Sequence, residues 1–115
     1  MQIYSSVTAL SDVAALPAGW ALSMPCAVDT ADRVFAKTMT AEIDDNTPQR
    51  CINHCVALGY TMAGVEYGNE CHCGNAYRGA KAPPAAPASQ CNFPCAGAPS
   101  LTCGGSWGIQ IYASA

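Results

Sequence analysis

The chain has 115 residues, 50% of them hydrophobic and 11% charged, with eight cysteines and a formal net charge of −3. That length is one domain, and that balance excludes a disordered chain. Lys and Arg are scattered singly and no long apolar run occurs, so neither a nucleic-acid stripe, nor a basic membrane-surface helix, nor a membrane span of roughly 20 residues is expected.

Residues 1–19 precede the first cysteine and end in Leu16-Pro17-Ala18-Gly19, as a linker or an edge strand added to the domain that follows over 20–115. Trp20 to Val28 and Arg33 to Met39 are strand candidates, with Asp29-Thr30-Ala31-Asp32 as the turn between them. The sharpest local signal is a helix from Pro48 to about Leu58. Thr47 supplies an N-cap oxygen, Pro48 sits at the first helical position, and Gly59 follows as a left-handed cap. Cys51, Ile52, Cys55, Val56 and Leu58 are expected on one face of it.

Met62 to Tyr67 and Glu70 to Cys73 read as a hairpin closed by the two-residue turn Gly68-Asn69. That register sets Tyr67 opposite Glu70 and Val65 opposite His72, on the face away from Cys71 and Cys73. Asn75 to Gln90 is rich in Ala and Pro, an extended surface loop. Trp107 to Tyr112 is the final strand.

Large apolar side chains are few, so the core is thin and the cysteines must compensate. An even, dense set in a small chain reads as a disulfide framework formed in an oxidising, extracellular compartment. Each bridge adds roughly 2–4 kcal/mol. Cys51 and Cys55 share a helix face, and Cys71 and Cys73 share a strand face. The helix can therefore be riveted twice to the hairpin, as Cys51–Cys71 with Cys55–Cys73 or as the crossed alternative. Cys95 and Cys103 bracket a short loop that one bridge can close, which leaves Cys26 and Cys91. Met1-Gln2-Ile3-Tyr4 lacks the basic and apolar regions of a signal peptide, which points to a mature or excised form.

These residues resemble the WSC domain of fungal cell-wall integrity sensors. The resemblance is carried by Asn46-Thr47-Pro48-Gln49-Arg50-Cys51 with Cys55, Gly59-Tyr60, Ala63 to Gly68, Glu70-Cys71-His72-Cys73-Gly74-Asn75, Cys91-Asn92-Phe93-Pro94-Cys95 and Cys103-Gly104-Gly105. Trp20, Asp29 and Arg33 match the family's opening, whereas its Gly-Cys-Tyr at the first cysteine is Pro25-Cys26-Ala27 here. The resemblance implies an α+β, disulfide-rich, PAN/apple-like fold with one main helix packed on a small antiparallel sheet. It also implies the pairing Cys26–Cys91, Cys51–Cys71, Cys55–Cys73 and Cys95–Cys103. It implies a secreted or cell-wall-associated, non-catalytic module that binds polysaccharide: β-1,3-glucan first, xylan or chitin beside it. The alternative is a protein-interaction or stress-sensor ectodomain without appreciable sugar affinity.

Sugar binding needs an exposed aromatic ring beside planar polar groups. The candidates are Tyr67, Glu70, His72, Asn75, Tyr77, Asn92 and Trp107, with Tyr67 and Tyr77 the foremost for exposure. Trp20, Tyr60, Trp107 and Tyr112 are equally candidates for the core. No carboxylates are spaced as a glycosidase pair, so no catalytic residue is expected. Cys-x-x-x-Cys with His54 and Cys-His-Cys with His72 lack the usual zinc spacing, so neither a metal nor a cofactor is expected. The expected partner is a cell-wall glycan, with self-association as a further one, and neither nucleic acid nor membrane.

Overall fold

The computed structural model describes residues 16–31, 33–36 and 39–115. The linker-or-strand reading of residues 1–19 falls, except for 16–19, outside the described residues. Among the described residues seven strands and one α-helix follow one another: β1 (Trp20–Val28), β2 (Met39–Glu42), α1 (Pro48–Ala57), β3 (Met62–Glu66), β4 (Glu70–Gly74), β5 (Pro94–Cys95), β6 (Ala98–Thr102) and β7 (Gly108–Ser114). Five strands form an antiparallel sheet in the order β1-β7-β3-β4-β2, and β5 pairs with β6. The α+β, disulfide-rich architecture matches the expectation.

Helix α1 begins where the sequence predicts. The Thr47 hydroxyl accepts from the Arg50 N–H at 3.1 Å, and Gly59 takes φ 86° after the Leu58 cap. Its buried stripe is Pro48, Cys51, Ile52 and Cys55, at helical spacing. Val56 and Leu58, expected on that face, are exposed, because the stripe turns away from them after Cys55. All four disulfides form in the implied pairing, Cys26–Cys91, Cys51–Cys71, Cys55–Cys73 and Cys95–Cys103, so the crossed alternative is not used.

Both faces of the central strands are covered. The helix side packs Cys51, Ile52, Cys55, Ala63, Val65, Cys71, Cys73, Cys95, Cys103 and Tyr112, with Trp20 and Tyr60 partly buried against them. The opposite side packs Ala27, Val34, Phe35, Ile109 and Ile111, with Met24, Met62 and Tyr77. Two glycines make room on that second side. A Cβ on Gly64 would meet Ile109, and one on Gly74 would meet Phe35 at 2.6 Å.

Two further expectations are corrected. Of the segment Arg33 to Met39, the described residues 33–36 form no strand beyond the isolated Phe35–Tyr77 bridge, and Met39 opens β2. The Asp29 carboxylate accepts the Val34 N–H at 3.1 Å and Arg33 adopts φ 68°, which breaks extended pairing there. The hairpin register is shifted by one residue. Tyr67 and Gly68 both take positive φ (57° and 82°), so the loop is Tyr67-Gly68-Asn69 and Glu66, not Tyr67, faces Glu70. Val65 therefore opposes Cys71 in the helix-side core, while Gly64 opposes His72. The loop 75–90 lies along β1, with the Ala86 N–H donating to the Cys26 carbonyl and the Val28 N–H to the Pro84 carbonyl.

Candidate functional site

The turn end of the β3–β4 hairpin and the turn before β7 enclose a pocket of about 190 Å³ lined by Arg33, Glu66, Tyr67, Glu70, Ser106 and Trp107. Its aromatic walls come from two loops whose backbone holds them outward. Tyr67 leaves β3 at φ 57° and leans on Phe93 with ring centroids 5.2 Å apart, yet stays 55% exposed. Trp107 also takes φ 57° and is 48% exposed. Its carbonyl accepts from the Asp29 N–H and from Gln90 Nε2, both at 2.9 Å, so the ring is anchored from below. The Arg33 guanidinium lies 5.3 Å from the Trp107 ring centroid, in cation–π range.

The floor is ionisable and buried. Asp29, which is 3% exposed, holds Arg33 Nη1 at 2.8 Å. His72 lies between two carboxyl groups, with Nε2 3.2 Å from Glu70 Oε1 and 3.4 Å from Glu66 Oε1, while Nδ1 is 3.0 Å from Thr40 Oγ1. Burial pushes the Glu66 carboxyl up to about 9, and the nearby Asp29 and Glu70 add to the rise. Burial likewise holds the His72 imidazole below its ordinary value, against the opposing pull of Glu70. Burial thus disfavours the charged form of both Glu66 and His72.

Of the candidates from sequence, Tyr67, Glu70 and Trp107 line this pocket and His72 lies beneath it. Asn75 does not line it: its Oδ1 accepts from the Thr61 N–H and hydroxyl and ties two turns together. Tyr77 is half-buried, 6.3 Å from Phe35 in a stacked pair, and belongs to the packing. Asn92 is exposed but outside the pocket lining. Trp107 is the one of the four candidate core aromatics that faces solvent. Sequence reasoning missed Glu66, Ser106 and Arg33 as pocket residues. The first would have emerged from counting a three-residue hairpin loop, and the third from the Asp29–Arg33 spacing.

Exposed rings beside carboxylates and a guanidinium are suited to stacking on a sugar face and hydrogen-bonding its hydroxyls. Glu66 and Glu70 do not form a glycosidase pair, because their oxygens converge on one imidazole nitrogen instead of flanking space for a scissile bond.

Comparison with known proteins gives the same family. The WSC domain model matches residues 24–105, well over half of the chain. A xylosyltransferase oxt of Drosophila melanogaster is 37% identical over 79% of this chain and 10% of its own length. A WSC domain-containing protein of Arthroderma benhamiae is 38% identical over 84% of this chain and 10% of its own. Kremen protein 2 of Mus musculus is 42% identical over 57% of this chain and 14% of its own. The chain therefore spans about a tenth of the first two relatives and somewhat more of the third. The family is one of non-catalytic modules, extracellular and either carbohydrate-binding or sensor-like, and this chain belongs to it as a WSC domain.

Proposed function

We propose that this domain binds cell-wall polysaccharide through the Tyr67–Trp107 pocket, with β-1,3-glucan as the first ligand and xylan or chitin next. The observation that carries the reading is the pair of half-exposed rings, Tyr67 and Trp107, held outward by left-handed backbone on either side of charged groups. Neither ring is needed to fill the core, so their exposure calls for a ligand. The pocket accommodates one sugar unit, and avidity then comes from repeated engagement along the polymer.

The test is retention of the oxidised domain on insoluble β-1,3-glucan, xylan, chitin and cellulose, beside Tyr67→Ala and Trp107→Ala. Retention on one polymer, lost in both variants while they remain folded, supports the reading. Absence of retention on every polymer transfers the pocket to a protein-interaction or sensor role.

A further inference from the structure

We propose that Glu66, Glu70 and His72 form a binding site for a divalent transition-metal cation, zinc foremost, at the floor of the pocket. Glu66 and Glu70 also line the sugar pocket, but the cation site does not rest on the sugar reading, since metal binding is measured without any glycan.

Three observations carry it. First, one ligand atom from each of the three side chains lies within 4.8 Å of the other two. His72 Nε2 stands 3.2 and 3.4 Å from the two carboxyl oxygens. Ligand atoms about 2.0–2.1 Å from a tetrahedral zinc stand about 3.3–3.4 Å from each other, which both nitrogen–oxygen separations match, and the two carboxyl groups need only close on each other from within 4.8 Å. Second, Glu66 is 3% exposed and its Oε1 has no hydrogen-bond partner among the described residues. A single Nε2–H directed at Glu70 leaves that oxygen unsatisfied, whereas a cation satisfies all three groups together. Third, the second ring nitrogen already has its outer partner. Nδ1 lies 3.0 Å from Thr40 Oγ1, which can accept its N–H once a cation replaces the proton on Nε2, the arrangement usual behind a metal-bound histidine.

The chemistry of the set selects the ion. One imidazole and two carboxylates suit zinc and its neighbours better than calcium or magnesium, which prefer oxygen alone. Arg33 does not compete for the carboxylates because Asp29 holds it at 2.8 Å. The pocket supplies an entry path, as both glutamates line it, and leaves a fourth position for water. Cys51, Cys55 and Cys71 also converge, but they are consumed in disulfides and offer no thiolate. The expectation from sequence that no metal binds rested on cysteine spacing; carboxylates brought together by the shifted hairpin register supply the ligands instead.

The experiment is titration of the chelator-treated, oxidised, tag-free domain with Zn²⁺ by calorimetry, and with Co²⁺ by visible absorption. The expected result is one equivalent bound, with the intense colour of four-coordinate cobalt. Glu66→Gln and Glu70→Gln each weaken binding by about tenfold or more, and Thr40→Val, which acts through the ring, by about tenfold. His54→Ala changes nothing. Two glutamate positions of different burial guard against a folding artefact, which circular dichroism of each variant reports. The proposal is overturned by absence of binding to the wild-type domain. It is also overturned by binding that both glutamate variants retain, or that His54→Ala abolishes.

Discussion

Asp29 and Arg33, four residues apart in sequence, form an ion pair of 2.8 Å. The same carboxylate accepts the Val34 N–H at 3.1 Å, and the Arg33 N–H donates to the Thr30 carbonyl at 2.8 Å. One buried acid thus folds the whole turn after β1 and delivers the guanidinium to the face of Trp107.

Asp29→Ala should therefore act on stability and on the pocket together. It leaves the Val34 N–H buried without an acceptor and frees Arg33. The cost is about 1–3 kcal/mol, below that of a fully buried pair because Arg33 keeps access to water. A lower urea midpoint with weaker polysaccharide retention is the expected result. An unchanged midpoint would show that the turn stands without its carboxylate.

Gly64→Ala tests the packing behind the site. Gly64 opposes His72 across the hairpin, and the added methyl would stand 2.7 Å from Ile109 Cγ1 as well as against its Cδ1. Ile109 is 1% exposed and packs with Ala27, Val34, Phe35 and Ile111, so it must shift within the core, and the expected loss is about 1–3 kcal/mol. Gly64→Ala combined with Ile109→Ala should lose less than the sum of the two single changes, because the smaller side chain admits the methyl. Additivity in thermal or urea unfolding would locate the strain elsewhere.

What sequence could and could not reveal follows from the range of each interaction. The helix was legible because Thr47, Pro48 and Gly59 act on their immediate neighbours. The two helix–hairpin bridges were legible as a set, because helix and strand periodicities put Cys51 with Cys55 and Cys71 with Cys73 on facing surfaces; periodicity left the crossed pairing open, and the full pairing was implied by the family resemblance. The hairpin register was not, since Gly68-Asn69 is a sound two-residue turn in isolation. The deciding contacts are distant: the Gly68 N–H donates to the Cys103 carbonyl, and the Gly68 carbonyl accepts the Ala96 N–H at 3.1 Å. These bonds fix a longer loop, and the one-residue shift brings Glu66 beside Glu70 and His72. The ionisable floor of the pocket was hidden for that reason alone.

The tyrosines should separate cleanly in experiment. Tyr77→Ala removes a ring stacked on the fully buried Phe35 and should lower the melting temperature by several degrees, with polysaccharide retention by the folded fraction unchanged. Tyr67→Ala removes a ring that is 55% exposed and should do the reverse. Measuring both variants for melting and for retention checks the assignment, and loss of retention in folded Tyr77→Ala would enlarge the site beyond the pocket.

The two outer disulfides should divide stability from binding. Cys26–Cys91 spans 65 residues and Cys95–Cys103 spans 8. By loop-closure entropy the first contributes about 4 kcal/mol and the second about 2.5 kcal/mol, so Cys26→Ala/Cys91→Ala should be the less stable double variant in urea. The short bridge, however, holds the segment whose Cys103 carbonyl and Ala96 N–H clamp Gly68 and thereby aim Tyr67. Cys95→Ala/Cys103→Ala should accordingly unfold later in urea yet lose more polysaccharide retention. If the long bridge proved the less important for stability, strain or packing at the bulged β1 would outweigh loop length. If retention followed stability in both variants, the clamp on Gly68 would have no separate role in presenting the Tyr67 ring.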